Sequence, residues 1–519
     1  MSKINVNKKI TVLLLTSFLF LVLLLWLLLS PSKVQAVTFT VDTVADSNDS
    51  TPGDGLCQDG SSNCSLRAAA EEANALAGDD TIDLPAGTYT LTIALGGRLL
   101  IDSNIDLVGA TATTSIVEME AGASGLTGRV MQLGDFASST AYTINISDIT
   151  VRNGNTSGTG GGMLIAYSCC TGTVVNINNI IFTGNNASVG GALHNSTGGT
   201  TTITNAVFDN NTATSVGGGI ANDGTLTLFN ATISNNFADY SGGIENDAEI
   251  YLTNVTISNN QATFNGGGYT IQSTPSATGT LTNVTIANNS AGEAGGGFQD
   301  YGSDGLVFRN VILNNNTATT TPSEGNCSSF DGNFPNITST GNNLSSDSSC
   351  TFFTDPGDII NTDAMLDALA DNGGFSQTHA LQLGSPARDS ANGATCPGTD
   401  QRGSTRPTDG DGNGIADCDI GSFEAAQIPV TPTVTPTLGP TTVGSTATPT
   451  PTPTSGQSFN GITTLPATGS FDLQTLMILK TLSGIILIIW GIFIRSQART
   501  YTDKYLWQRL KNLVMFKKN

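Results

Sequence analysis

Between residues 79 and 325 short runs of alternating apolar and polar residues recur, each followed by Asn and then by a Gly cluster, as in LTNVTISNNQATFNGGGY (252–269) and LTNVTIANNSAGEAGGGF (281–298). The period of two predicts strands, with Val255 and Ile257 on one face and Thr256 and Ser258 on the other, so that one row faces a core and the other solvent. Asp148, Asn179, Asn205, Asn230, Asn254, Asn283 and Asn310 each precede such a run, at steps of 31, 26, 25, 24, 29 and 27 residues. Seven recurrences at that spacing predict a solenoid. Gly clusters such as Gly217–Gly219 and Gly266–Gly268 allow sharp corners beneath a stacked neighbour.

A strand, an Asn corner, a Gly corner and a second strand in about 25 residues read as one turn of a right-handed parallel β-helix, an all-β, pectin-lyase-like solenoid. A β-propeller would need about 40 residues and four strands per blade. Asn259, Asn260, Asn288 and Asn289 are then expected as turn and ladder residues. LRAAAEEANALAG (66–78) predicts a helical N-terminal cap over the open end of the column.

The two ends differ from this middle. Residues 1–36 carry Lys3, Lys8 and Lys9, an apolar stretch from Ile10 to Leu29 and a small-residue site, which predicts a signal peptide cleaved after Ala36. Residues 37–78 form the cap and 79–325 the repeats, while 326–425 lose the period and gain Cys, Asp and Pro. A Pro/Thr-rich stalk follows (426–464), then LPATG (465–469), an apolar transmembrane segment (474–494) and a basic, cytoplasmic tail (495–519).

Charge narrows the partners. Residues 37–468 hold eight Arg and no Lys against 40 acids, a net charge of −32. Nucleic acid is excluded as a partner, and an anionic polysaccharide is disfavoured unless cations bridge it to the protein. The missing Lys also excludes Lys–Asn isopeptide crosslinks in this region. Eight Cys in an exported chain favour disulfides, with Cys57–Cys64, Cys327–Cys350 and Cys396–Cys418 as the local pairings; Cys169 and Cys170 read as buried thiols.

Three stretches resemble known families. CSLRAAAEEANA (64–75) resembles the CSLREA segment at the start of many secreted bacterial β-helix proteins, with Ala68 in place of its Glu. FTGN (182–185), FDNN (208–211) and GGAL (190–193) resemble the repeats of polymorphic outer-membrane proteins, and residues 326–425 are similar to the choice-of-anchor Q domain. LPATG fits the sortase signal: the resemblance implies cleavage between Thr468 and Gly469 and attachment to the cell envelope, with Leu465, Pro466 and Ala467 completing the recognised pentapeptide.

Candidate chemistry is sparse. Glycosidic hydrolysis needs two suitably spaced carboxyls, and Asp209, Asp223, Asp239, Glu245, Asp247 and Glu249 are the candidates in the repeats. No acid recurs in a fixed register, so these are expected to be solvated. His194 and His379 are expected to be structural. No cofactor is expected, save calcium at Asp409, Asp411, Asn413 and Asp417, which alternate around Gly as in the first part of an EF-hand loop, although Ile420 stands where that loop needs Glu. The expected function is a non-catalytic, cell-surface rod acting in adhesion or as an envelope layer, processed by sortase and binding a glycan or protein; the alternative is a surface-tethered polysaccharide hydrolase or lyase.

Overall fold

A computed structural model of the chain describes residues 36–427, apart from 124, 126–127, 135–140, 166–172 and 274–276. The signal segment up to residue 35, Cys169–Cys170, the stalk from residue 428, LPATG, the apolar 474–494 segment and the tail lie outside the described residues. Among the described residues no helix is long and apolar enough to cross a membrane.

The chain winds into a parallel β-helix of three sheets with fifteen, nine and six strands. The nine-stranded sheet takes one strand from each turn, which gives nine turns. Stacking is in register: Ala231 lies beside Val255, which lies beside Val284, and Ile233, Ile257 and Ile286 form the next row. These side chains are fully buried and belong to one apolar column running from Phe39 to Phe353. Each coil alone has no core; stacking supplies it, at about 25 cal/mol per Å² of apolar surface removed from water.

Six strands of ten residues, among them Glu249–Ser258 and Thr278–Ala287, bend at their midpoints. The bend is the residue that set the repeat register: Asp148, Asn179, Asn205, Asn230, Asn254 and Asn283 have φ between 52° and 61°. Asn tolerates this left-handed conformation better than other side chains. Its amide also reaches the next coil, as from Asn205 to Asn179 (3.0 Å) and from Asn254 to Asn230 (3.2 Å).

The next corner carries a second, buried ladder through Asn185, Asn211, Asn236, Asn260, Asn289, Asn316 and Asn326. Asn260 accepts from the backbone N–H of Asn236 (3.0 Å) and donates to the Ile233 carbonyl (2.9 Å), so each rung satisfies backbone groups of the corner. The neighbouring Asn259 and Asn288 take the left-handed turn position, with φ of 58° and 59°. At the Gly corner, a Cβ on Gly267 would lie 2.4 Å from the Gly296 carbonyl oxygen, which only Gly avoids.

The cap helix spans Leu66–Ala75, with Ser65 accepting from the Ala68 N–H. Its Leu66, Ala69, Ala70 and Ala73 close one end of the column.

Two expectations are corrected. The coil does not stop at residue 325: Cys327–Ser329, Ile337–Ser339 and Leu344–Ser345 pair with the preceding turn and form the last one. Longer connections between these strands hide the period. The row of Thr256 and Ser258 does not face solvent; both are fully buried. Residues 364–425 fold back as a strap over this face. Thr256 Oγ1 donates to Gln401 Oε1 (2.7 Å), Thr232 Oγ1 to the Gln377 carbonyl (2.5 Å), and Asn283 Nδ2 to the Asp419 carbonyl (3.1 Å). A small apolar cluster joins strap to coil through Ile312, Leu344, Leu381 and Ile420.

The disulfides Cys57–Cys64, Cys327–Cys350 and Cys396–Cys418 are formed as expected. Among the described residues the apolar column, its cap and three bridges all fall between Phe39 and Ala425, a self-contained core of the kind that folds as a unit.

Candidate functional site

The nine-stranded sheet is built from three-residue strands whose middle side chain points away from the column. Register places Leu100, Gln132, Leu164, His194, Ala221, Glu245, Thr270, Gln299 and Ser328 in one row on that side of the sheet, all of them buried but Leu100. Beneath it, the third residues of three strands, Asn195, Asn222 and Asn246, form another buried amide ladder at 2.7 and 2.6 Å. One residue beyond the strands come Asp223 and Asp247. Asp223 is fixed by its N–H to the Asn195 carbonyl, and Asp247 by its N–H to the Asn222 carbonyl, each at 2.8 Å.

This corner gathers three acids. One carboxylate oxygen from each of Asp223, Glu245 and Asp247 lies within 4.8 Å of the others. His194 Nε2 is 2.9 Å from Asp223 Oδ2, while His194 Nδ1 is buried without a partner. Asp223 is the outermost member, its side chain 35% exposed, in a shallow cleft of about 480 Å³ lined by Thr200, Thr225, Ala248, Glu249 and Thr278 among others. Glu245 lies behind, 4% exposed.

The electrostatics follow from burial. Removal from water raises the Glu245 pKa to about 9, and the negative charge of Asp247 adds to it. Glu245 is therefore protonated at neutral pH and hydrogen-bonds Asp247, whose own pKa is raised mainly by burial. The pair shares one proton because two adjacent buried carboxylates cannot both ionise. Among the described residues no Arg forms an ion pair with this group.

The expectation of solvated acids thus fails for Glu245, which is buried, while Asp223 and Asp247 are partly exposed and converge on it. The rest of the candidate set stays apart. Asp209 accepts from Asn210, Ser234 and Asn235 (2.6–2.8 Å), Glu249 accepts from Tyr251 (2.5 Å), and Asp239 joins neither. The absence of a fixed register misled the reading, because one site needs one convergence and not a repeat. His194, two residues after the Gly-Gly-Ala corner, gave no signal of its own, since its partner is 29 positions away.

The calcium loop is placed differently from its sequence pattern. Asp409 and Asp411 group with Asp389, which sequence reasoning missed, and not with Asp417. Gly412 and Gly414 donate to Asp409 (2.8 and 3.0 Å), and Asn413 Nδ2 donates to Asp411 (2.9 Å). Asp417 pairs instead with Thr408 across an antiparallel bridge.

His379 is buried in the strap, with Nδ1 facing the Asp367 carbonyl (2.7 Å) and Nε2 facing Ser258 Oγ (2.8 Å). Burial holds its pKa below the usual value, so it is neutral, with the proton on Nδ1.

No family model and no curated protein matches this chain. The CSLREA-like, repeat-like and anchor-like resemblances therefore rest on the quoted residues alone. Among solved structures the chain is similar to the A-module of the Azotobacter vinelandii mannuronan C-5 epimerase AlgE4, at 16% identity and a TM-score of 0.32, over 58% of this chain and 87% of that one. A likeness at that level carries nothing about chemistry.

Proposed function

We propose that the protein is a β-helical rod held at the cell surface, which binds neutral glycan along the half of its long sheet that the strap leaves open. The carrying observation is that open face. Two outward rows cross the coils there: Asp106, Asn145, Asn176, Thr202, Thr227 and Tyr251, and beside them Val108, Ser147, Asn178, Thr204 and Phe229. Side-chain amides and hydroxyls thus recur at the coil spacing of about 4.8 Å. Phe229 and Tyr251 are 37% and 39% exposed, two aromatic surfaces on a polar sheet. A shallow cleft of about 420 Å³ lies over Asn145, Asn176 and Thr202. Rigid polar groups with an aromatic platform are what a sugar chain needs: hydrogen bonds to its hydroxyls and contact for its C–H faces.

Surface attachment is read from the chain ends. Export through residues 1–36, a stiff Pro/Thr stalk and LPATG give a rod displayed outside the cell, with sortase as processing partner and the envelope as support. Mass spectrometry of the envelope-bound form checks this: a C-terminus at Thr468 joined to an envelope fragment supports it, and peptides beyond Gly469 in that form overturn sortase attachment. Cells lacking the protein should lose attachment to glycan-coated surfaces; unchanged attachment removes the adhesion role. Calcium at Asp389, Asp409 and Asp411 belongs to the same proposal as a brace for the strap, and calorimetry of residues 37–427 without calcium-dependent heat removes it.

A second reading has its own observation. Asp223, Glu245, Asp247 and His194 bring three carboxyl groups, one of them protonated, and an imidazole together beside a cleft that Asp223 lines, which are the groups for acid–base chemistry on a polysaccharide. The spacing weighs against an inverting hydrolase, whose carboxyls stand about 6.5–9.5 Å apart. If residues 37–427 release reducing ends or unsaturated products from a polysaccharide panel and E245Q does not, this reading replaces the first.

A further inference from the structure

The region from 37 to 468 has five acids for every base, so its arginines should all find counter-ions. Four do: Arg67 with Asp46 (2.8 Å), Arg152 with Glu118 (2.6 Å), Arg402 with Asp400 (2.6 Å) and Arg406 with Glu424 (3.5 Å). Among the described residues the other four, Arg98, Arg129, Arg309 and Arg388, form no ion pair, and of these Arg98 and Arg129 stand together. Arg98 immediately precedes the strand Leu99–Ile101, and Arg129 lies two residues before Met131–Leu133 in the next coil. The strands are stacked in register, with Leu99 N–H bonded to the Val130 carbonyl (2.8 Å).

The two side chains are placed differently. Arg129 is 8% exposed and pinned: Nε and Nη2 donate to the Thr159 carbonyl (2.9 and 2.6 Å), and Nη1 to Gln132 Oε1 (3.2 Å). These acceptors are neutral, and among the described residues Arg129 forms no ion pair. Arg98 is partly exposed, and its Nε is buried with no hydrogen-bond partner. Burial, and after it the charge of Arg98, lower the Arg129 pKa to about 10, which shows that the two guanidinium groups feel one another. Leu100 and Gln132, the first two residues of the outward row of the short sheet, set the pair at its start.

We infer that Arg98, backed by the fixed charge of Arg129, is an anion-binding site that takes an acidic group of a glycan chain, a carboxylate or a phosphate ester. Arg98 presents the fork that matches either oxyanion, and Arg129 supplies the field without needing to move. The site is separate from the neutral-glycan face and does not rest on it. The net charge of −32 disfavours anionic polymers elsewhere on the rod, so binding is confined to this end.

The test is calorimetric titration of residues 37–427 at low salt with a trigalacturonate, with inorganic phosphate and with a neutral glucan oligomer. At least one anion should bind, the neutral oligomer should not compete with it, and R98Q should weaken binding by about 10-fold or more, the loss of a charge-assisted hydrogen bond. R152Q, which removes an arginine already paired with Glu118, should leave it unchanged, and an unaltered melting temperature shows that R98Q is folded. Tighter trigalacturonate assigns a uronate carboxylate, and tighter phosphate a phosphate-bearing polymer. No heat from either anion, or equal losses in R98Q and R152Q, overturns the site.

Discussion

Adjacent asparagines in this chain do different work, which substitution should separate. Asn260 is a buried rung bonded to Asn236, Ile233 and Asn289, whereas Asn259 holds a left-handed turn with its side chain exposed. Asn260→Ala leaves buried backbone groups unsatisfied and should cost about 2–3 kcal/mol in urea unfolding, while Asn259→Gly should stay within about 0.5 kcal/mol. Equal costs would refute the ladder as a source of stability. Glu245 gives a second test through pH. Its native pKa of about 9 is raised from 4.5, so its contribution is fully present below about 4.5 and is lost as pH rises through about 9. Glu245→Gln should therefore raise stability at pH 8 by at least about 1 kcal/mol and change little at pH 4. His379 runs the other way: its lowered pKa stabilises the fold above about 6.5 and that contribution is lost as pH falls through the native value. His379→Gln should flatten the acid limb of the stability profile; an unchanged limb would refute the neutral tautomer. The sequence showed that both NN positions were structural, but not which was the rung, because left-handed turn and buried amide have the same residue preference.

Among the elements, the coils were legible and the strap was not. Alternation and Gly corners repeat locally, so Val255 and Ile257 could be assigned to the column from a single unit. The strap meets the coils across long separations: Ser258 and His379 are 121 residues apart, and Thr232 and Gln401 are 169 apart. No local period records such contacts, and a Thr/Ser row beneath a polar cover looks the same in sequence as one facing water. The acid cluster was illegible for a related reason, since Asp223 and Glu245 become neighbours only when two coils stack. The strap should also be separable from the coils. Cys396–Cys418 closes a sequence separation of 22 residues, worth about 3 kcal/mol in the chain-entropy account. Replacing both with Ser should speed hydrogen exchange across 364–425 and expose the Thr256 row, while the amides of Val255 and Ile257 stay protected. Exchange rising equally in both would mean strap and coils unfold as one unit.

For the molecule as a whole, nine stacked turns give a continuous column closed at one end by the cap helix. Its outer surface divides into a strapped face, an open polar face with Phe229 and Tyr251, and a short-sheet face bearing Arg98 and Arg129 toward one end and the Asp223 cluster further along. The two readings of function place the ligand on different faces. A single measurement separates them: titration of residues 37–427 with neutral glycan oligomers, paired with product analysis, for the wild type, the double variant F229A/Y251A and E245Q. The rod reading predicts binding that falls about 10-fold or more in the double variant, persists in E245Q and yields no product. Binding indifferent to Phe229 and Tyr251, with product formation lost in E245Q, would contradict it.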